Sequence, residues 1–183
     1  MSNSGIPIPQ TTALLVIDVQ EKLMPVVQNP DFVKQQVNRL IQGASVLSLP
    51  IIVTEQYPQG LGATCSDIVI PDKDAVIQKM CFSCMQSEDV IKRIKNQKIT
   101  DIIIAGVESH ICVLKTALEA IDAGYRVHIV ADAVSSRTNI NKELAIERMR
   151  QSGAYIVSTE MILFMLIQEA GTDTFRSISK LIK

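Results

Sequence analysis

The sequence predicts an α/β fold, a three-layer sandwich in which a six-stranded, mostly parallel sheet carries helices on both faces. Short runs of apolar, often β-branched residues alternate along the chain with longer segments of helical period, which is typical of βαβ units. The apolar runs alternate little with polar residues, as expected for strands buried on both faces. The chain has 183 residues, of which 47% are hydrophobic, so we expect a single domain over residues 1–183.

Six apolar runs are predicted as the strands of this sheet. They span residues 13–19, 51–54, 75–79, 101–107, 126–131 and 154–158. Strands that alternate with helices are joined by right-handed crossovers, and the result is a Rossmann-like parallel sheet.

Six segments with apolar residues at helical spacing are predicted as the helices. They span residues 31–49, 87–96, 109–123, 141–152, 160–170 and 174–182. Ser87 is a candidate N-cap, and Gly124 and Gly153 follow their helices in the C′ position. The residues at 57–62, rich in glycine and proline, are predicted as a loop.

The composition argues against several classes of protein. The formal net charge of -1 gives no basis for binding nucleic acid or an anionic membrane surface. No apolar run reaches the roughly 18 residues that a membrane-spanning helix needs. Residues 1–10 lack the basic and apolar regions of a secretory signal, so the four cysteines are expected to be reduced thiols of a cytoplasmic protein. The two histidines, His110 and His128, show no zinc-ligand spacing.

Three side chains with catalytic chemistry fall at one edge of the predicted sheet. Asp18 lies near the end of the first strand, Lys79 ends the third, and Cys112 follows the fourth in the first turn of a helix. The carboxyl ends of parallel strands meet at one edge, where α/β proteins bind their ligands. The sequence therefore predicts a site built from these three residues.

A cysteine in the first turn of a helix is favoured as an anion, because unpaired backbone N–H groups and the helix dipole surround it. We therefore expect the pKa of Cys112 to lie below the free-thiol value of about 8.5. A cation such as Lys79 would stabilise the thiolate, and a carboxylate such as Asp18 would accept the thiol proton. Structural explanations exist as well: a core cysteine, a solvated lysine and a carboxylate in a buried pair.

The residues also raise three other possible functions, namely a redox pair, a dinucleotide-binding protein and a binding module. Cys81-Phe82-Ser83-Cys84 is a C-x-x-C, but thioredoxin-like redox pairs usually have a tryptophan nearby, and the chain contains none. Residues 18–21 contain no glycine, which excludes the dinucleotide-binding turn, and we expect no cofactor. A binding or interaction module on the same fold, with weak or lost catalysis, is the alternative to an enzyme.

An ordered set of motifs resembles the isochorismatase-like cysteine hydrolases, in particular the isochorismatase-domain proteins without an assigned physiological substrate. The resemblance runs in order from about Thr12 to the C-terminus. The motifs that carry it are Leu15-Val16-Ile17-Asp18-Val19-Gln20, Thr54-Glu55-Gln56-Tyr57-Pro58-Gln59-Gly60-Leu61-Gly62, Lys79-Met80-Cys81-Phe82-Ser83, Gly106-Val107-Glu108-Ser109-His110-Ile111-Cys112-Val113, Ala131-Asp132-Ala133-Val134-Ser135-Ser136-Arg137 and Met149-Arg150-Gln151-Ser152-Gly153-Ala154.

The resemblance implies a role for each member of the triad. Cys112 would be the nucleophile that attacks a carbonyl or C=N carbon. Asp18 would take the thiol proton and return it to the leaving group or activate water, while Lys79 would hold the thiolate and orient Asp18. The resemblance also implies a cis peptide between Val107 and Glu108, and an oxyanion hole formed by the backbone N–H groups of Glu108 and Cys112.

The chain departs from the nicotinamidase relatives of this family at one motif. Those relatives carry a metal on an Asp-x-His where this chain has Glu55-Gln56-Tyr57. Because Tyr57 stands in place of the histidine, we expect neither a bound metal nor nicotinamide hydrolysis.

The prediction is therefore a metal-independent cysteine hydrolase that acts on a small amide-like or related C–N bond through a covalent acyl intermediate. The scarcity of aromatic residues, at 4%, favours a small substrate. The apolar run at 161–167, together with the resemblance, predicts a homo-oligomer, a dimer or higher. The side chains predicted to line the substrate site are Gln20, Glu55, Tyr57, Phe82, His110 and Ile111.

Overall fold

A computed structural model describes residues 4–183, and residues 1–3 of the predicted domain lie outside the described part. The described chain contains a six-stranded sheet in which every neighbouring pair of strands is parallel. Its strands are β1 (Thr12–Ile17), β2 (Ile51–Gln56), β3 (Val76–Lys79), β4 (Asp101–Val107), β5 (Arg126–Ser135) and β6 (Tyr155–Val157), in the spatial order β3-β2-β1-β4-β5-β6. The predicted α/β class and Rossmann-like sheet are confirmed.

Seven α-helices accompany the sheet in residues 4–183. They are α1 (Pro30–Val46), α2 (Pro58–Leu61), α3 (Glu88–Asn96), α4 (Leu114–Asp122), α5 (Asn139–Gln151), α6 (Thr159–Met165) and α7 (Asp173–Ile182). Helices α1, α6 and α7 pack against one face of the sheet, and α3, α4 and α5 pack against the other. This arrangement gives the three predicted layers.

The central strand β1 is apolar from Ala13 to Ile17 because it supplies both cores at once. In β1, Leu14 and Val16 point into the core under α1, whereas Leu15 and Ile17 point into the core under α4. All six residues of β1 are buried, so no position on this strand can face water. A fully apolar run followed by an acidic residue therefore brings the acid to the end of a buried strand.

Several boundaries differ from the sequence prediction, and three of the differences bear on the fold. The predicted loop at 57–62 contains the single turn α2, which Pro58 begins at the first helical position. Strand β5 continues past Asp132 to Ser135, because the Asp132 carboxylate accepts hydrogen bonds from Thr159 and the ladder with β4 resumes after an irregularity. Helix α6 ends at Met165, and the buried Leu166 caps it, so the prediction of a helix to residue 170 is wrong.

The second histidine belongs to a polar cluster at the amino-terminal edge of the sheet. Asp101 pairs with Arg126 at 2.6 Å and with His128 Nε2 at 3.0 Å, and both the Asp101 and the His128 side chains are fully buried. The His128 ring stacks on Tyr155. His128 therefore ties β4 to β5 far from the carboxyl ends of the strands.

Gly106 allows β4 to approach β1 closely. Its φ is +114°, and a Cβ built on it would lie 2.0 Å from the Ile17 carbonyl oxygen, which is backbone and cannot move aside. We expect Gly106→Ala to lower the free energy of unfolding by about 4 kcal/mol or to prevent folding. Urea denaturation measures this, with Gly153→Ala as the matched control, since Gly153 also has a positive φ of +101° but has no atom within 4 Å of the added Cβ. Equal losses in the two variants would contradict the steric argument.

No helix in residues 4–183 combines the length and the apolar character needed to cross a bilayer.

Candidate active site

The predicted triad comes together where the strand order reverses, between the carboxyl ends of β1 and β4. Asp18 follows β1 directly with a left-handed φ of 53°, and Cys112 follows β4 in a π-helical turn, Ser109–Val113. Lys79 is the last residue of β3 and reaches across β2 to Asp18. This crevice is where doubly wound sheets place their ligand sites.

A buried ion pair forms the centre of the site. Lys79 Nζ lies 2.7 Å from Asp18 Oδ2, and both side chains are 0% exposed. The ammonium also donates to Gln56 Oε1 at 2.9 Å and to the carbonyls of Cys81 and Phe82 at 3.3 Å each. A lysine has three N–H donors, so these acceptors occupy all of them. Lys79 therefore acts on Asp18 and has no free donor for a substrate.

The other oxygen of Asp18 is held by β2. Thr54 Oγ1 donates to Asp18 Oδ1 at 2.7 Å, and the Cys112 thiol also hydrogen-bonds the carboxyl group. Burial raises the pKa of Asp18 above its ordinary value, against the opposing effects of Lys79 and Thr54. A carboxylate with a raised pKa binds a proton more readily and is a stronger base than an exposed one.

Cys112 is 6% exposed and lies against this carboxylate. Burial raises the pKa of the Cys112 thiol, the negative charge of Asp18 raises it further, and Lys79 offsets only part of the rise. The prediction of a lowered pKa is therefore wrong, because desolvation outweighs the effect of the helix terminus on which the prediction rested. The site holds a neutral thiol beside a base.

The turn that carries Cys112 presents backbone donors at the same place. The Val107–Glu108 peptide is cis, as the resemblance implies. The Glu108 carbonyl accepts from the N–H groups of Ile111 and Val113, and the Ser109 hydroxyl ties the turn to β5 through the Ser135 carbonyl. Within residues 4–183, no acceptor is found for the Glu108 N–H. An unpaired N–H at a helix start is available to an anionic group.

Two of the predicted substrate contacts use their polar atoms to hold the chain after β2. The Gln20 amide accepts from the Gln56 N–H at 2.7 Å and donates to the carbonyls of Gln56 and Gly62 at 3.0 and 2.6 Å. Glu55 Oε1 accepts from the N–H and the hydroxyl of Thr64 at 2.7 and 2.9 Å. Both side chains are buried, and a contact of either with substrate stays a prediction.

The other four predicted contacts adjoin the triad through backbone hydrogen bonds or as neighbours of Cys112 in the chain. Tyr57 and Phe82 are 47% and 53% exposed. The Tyr57 N–H donates to the Lys79 carbonyl at 2.9 Å, and the Lys79 ammonium donates to the Phe82 carbonyl at 3.3 Å. His110 Nδ1 lies 3.0 Å from Ser136 Oγ, and Ile111 packs partly buried beside Cys112 in the core.

The sequence prediction missed the roles of Thr54 and Gln56. Thr54 hydrogen-bonds Asp18, Gln56 hydrogen-bonds Lys79, and both residues are buried. In the sequence they were recognised only as part of a family motif. A signal was present, because two polar residues spaced by two lie at the carboxyl end of an otherwise apolar strand. Such residues share one face of the strand and are expensive to bury without partners.

Among residues 4–183, no group of three or more His, Cys, Asp or Glu side chains is arranged to hold a metal ion. Cys81 and Cys84 are both free thiols, the first partly buried and the second fully buried.

The sequence is similar to a known protein family and to known proteins. The family model described as the isochorismatase domain matches residues 12–161. The chain is 42% identical to the secreted isochorismatase effector Isc1 of Phytophthora sojae over 184 residues, which cover 98% of this chain and 88% of that protein.

Two solved structures are similar over nearly the whole chain. The MAR1 ribonuclease from Caenorhabditis elegans aligns with a TM-score of 0.88 and 34% identity, covering 96% of this chain and 91% of that one. The YcaC gene product from Escherichia coli, described as an octameric hydrolase of unknown specificity, aligns with a TM-score of 0.86 and 27% identity, covering 96% and 88%.

Proposed function

Because the chain belongs to the isochorismatase family, we propose that it is a cysteine hydrolase that acts on a small amide-like or related C–N bond. The proposal depends on one observation above all: the Cys112 thiol lies against a buried carboxylate, Asp18, whose charge is held in place by Lys79. A nucleophile, a base and a cation that orients the base are the parts that covalent acyl transfer requires.

In the first step, a substrate carbonyl carbon enters beside Cys112 Sγ. Asp18 takes the thiol proton as the sulfur attacks, since the resting thiol is neutral and its thiolate would otherwise be costly to form. The negative charge that develops on the carbonyl oxygen is stabilised by the backbone N–H groups of Glu108 and Cys112. Loss of one such donor typically raises a barrier by about 2.7–4 kcal/mol.

In the second step, the tetrahedral intermediate collapses to a thioester on Cys112. Asp18 returns its proton to the leaving nitrogen, which departs as an amine or ammonia. Asp18 then takes a proton from water, and the resulting hydroxide attacks the thioester carbonyl carbon. The second tetrahedral intermediate breaks its C–S bond, the Cys112 sulfur takes the proton back from Asp18, and the acid product is released. Lys79 stays paired throughout, so that Asp18 can lose and regain its charge without moving.

The enclosure of the triad supports a small substrate. As whole residues, Asp18 is 0% exposed, Lys79 is 4% exposed and Cys112 is 6% exposed, so only a small group can reach the sulfur. Tyr57 and Phe82 have exposed side chains and backbones that hydrogen-bond Lys79, so they offer apolar surface on which an apolar part of the substrate can pack.

The remaining features of the proposal follow from the same residues and from the relatives. We propose a metal-independent and cofactor-free reaction, and a single domain that acts in the cytoplasm. The E. coli relative is described as an octamer, which supports a homo-oligomer here. Although the C. elegans relative is named a ribonuclease, the net charge of -1 and the paired Lys79 offer little attraction for a phosphodiester, so we propose no nucleic-acid substrate.

Capture of the acyl intermediate tests the proposal. The full chain is mixed with p-nitrophenyl acetate or with small amides, quenched in acid, and analysed by intact and peptide mass spectrometry. We expect one acyl group on Cys112, formed faster than on the partly buried Cys65 or Cys81, and an unchanged rate after treatment with EDTA. Absence of an adduct on Cys112 would favour the binding module, and loss of activity in EDTA would overturn the metal-independent mechanism.

A further inference from the structure

Two buried groups beside Asp18 have no part in the mechanism described so far. The Thr54 hydroxyl donates to Asp18 Oδ1 at 2.7 Å, and Cys84 Sγ lies 3.9 Å from Thr54 Oγ1. Thr54 and Cys84 are both 0% exposed. Cys84 is also the second cysteine of the C-x-x-C motif, for which the structure shows no disulfide.

The chemistry of these groups fixes the direction of the hydrogen bonds. An ionised carboxylate accepts only, so the single proton of the Thr54 hydroxyl goes to Asp18. The Thr54 oxygen can then only accept from Cys84. Burial raises the pKa of the Cys84 thiol to about 12, so the thiol keeps its proton at neutral pH and is able to donate it. The result is a directed chain from Cys84 through Thr54 to Asp18.

We propose that Thr54 is a positioning residue whose hydroxyl, held by the Cys84 thiol, orients Asp18 as the base for Cys112. The inference rests on the proposed function, because it gives Thr54 a role only if Asp18 takes the thiol proton. Lys79 fixes one oxygen of the carboxylate and Thr54 fixes the other, so the carboxylate cannot rotate away from the sulfur.

Cys84 also links β2, which holds the base through Thr54, to the helical segment of the nucleophile. Its backbone N–H donates to Thr116 Oγ1 at 2.9 Å, and Thr116 lies one turn beyond Cys112 on the same side of the helical segment. A single buried residue thus contacts both β2, through Thr54, and α4, through Thr116. This arrangement holds the distance between Asp18 and Cys112.

The inference predicts a change in the pH dependence of acylation. The titratable groups that face Asp18 are Lys79, Cys84 and Cys112, and its neutral side-chain partners among the described residues are the Thr54 hydroxyl and the Cys112 thiol. Removal of the Thr54 hydroxyl removes a hydrogen bond that lowers the pKa of Asp18, so the protonated form of Asp18 would be favoured. The pH below which acylation of Cys112 fails should therefore rise.

The experiment measures acylation of Cys112 by p-nitrophenyl acetate against pH in the full chain. We expect the acid limb to move up by about one pH unit in Thr54→Val, which keeps the shape of the side chain but removes the hydroxyl. Thr54→Ser should restore the limb to its wild-type position. Thr12→Val is the matched control, since Thr12 is equally buried and hydrogen-bonded but lies at the opposite end of β1, and its limb should not move.

The outcomes separate the two proposals. A folded Thr54→Val variant with an unmoved acid limb, when the wild-type chain does acylate Cys112, overturns the role of Thr54 and leaves the function standing. A wild-type chain that does not acylate Cys112 overturns both. If Thr54→Val does not fold, Cys84→Ala provides the test. Loss of the thiol that orients Thr54 should move the acid limb in the same direction by a smaller amount. An unmoved acid limb in Cys84→Ala would overturn the role of Thr54.

Discussion

Replacement of Cys112 by alanine is expected to abolish acylation and to reduce hydrolysis of any substrate by at least about 10⁴-fold. The reason is that, among the described residues, no other thiol is hydrogen-bonded to the Asp18 carboxylate: Cys84, the other sulfur near the ion pair, keeps its proton and is fully buried. Cys112→Ser tests the same position with a hydroxyl, which Asp18 is too weak a base to activate, and should lose nearly as much activity. Both losses are measured as turnover with the substrates that label the wild-type chain.

The controls for this experiment are the other accessible thiols. Cys65→Ala and Cys81→Ala remove partly buried cysteines with no contact to Asp18, and we expect turnover within about twofold of wild type. Thermal melting shows whether each variant is folded. Activity that survives Cys112→Ala, or that is lost in Cys81→Ala, would move the nucleophile away from Cys112.

Much of the fold can be predicted from local patterns of apolar residues in the sequence. The six-residue run of β1 is apolar because both of its faces are buried, and the same rule identifies β2 and β4. The edge that carries Asp18, Lys79 and Cys112 follows from the parallel sheet, since the ends of parallel strands meet. These inferences need only the period of the pattern and the direction of the strands.

Properties that depend on tertiary packing, such as the pKa of Cys112 and the hydrogen bonds of Asp18, could not be predicted from local sequence patterns. The position of Cys112 in a helical turn favours a thiolate, but the sequence does not say how deeply the turn is buried, and burial reverses the direction of the pKa shift. Similarly, a hydrogen bond from Thr54 to Asp18 depends on the register of β1 against β2, in which Ile17 lies opposite Thr54. Register between strands far apart in the chain is set by tertiary packing.

The end of β5 is another feature that depends on tertiary packing and could not be predicted from the sequence pattern. A polar residue, Asp132, interrupts the apolar run and predicts that the strand ends before it. In the fold, the Asp132 carboxylate caps the start of α6 through Thr159, which compensates its burial, and the strand continues to Ser135. That continuation matters for the site, because the Ser135 carbonyl holds the turn that carries Cys112.

Replacement of Asp18 by asparagine should produce two opposite effects on Cys112. Asparagine cannot accept the thiol proton, so hydrolysis should fall by about 10²–10⁴-fold, the usual contribution of a general base. Alkylation by iodoacetamide should instead become faster at a given pH, because this reagent needs only the thiolate. The Asp18 charge raises the pKa of Cys112 and Lys79 lowers it, so removal of the carboxylate alone lowers the pKa.

The measurement is the rate of Cys112 alkylation against pH, read by peptide mass spectrometry, with Cys81 in the same digest as an internal reference. In the wild-type chain we expect a half-point above the free-thiol value, and in Asp18→Asn a lower half-point than in wild type. The double variant Asp18→Asn with Lys79→Met removes both charges and should move the half-point up again, since only burial then remains. This variant also removes the unpaired buried ammonium, which would otherwise destabilise the fold by about 3–5 kcal/mol. Slower alkylation in folded Asp18→Asn would mean that Asp18 stabilises the thiolate rather than the thiol, and the general-base mechanism would have to be abandoned.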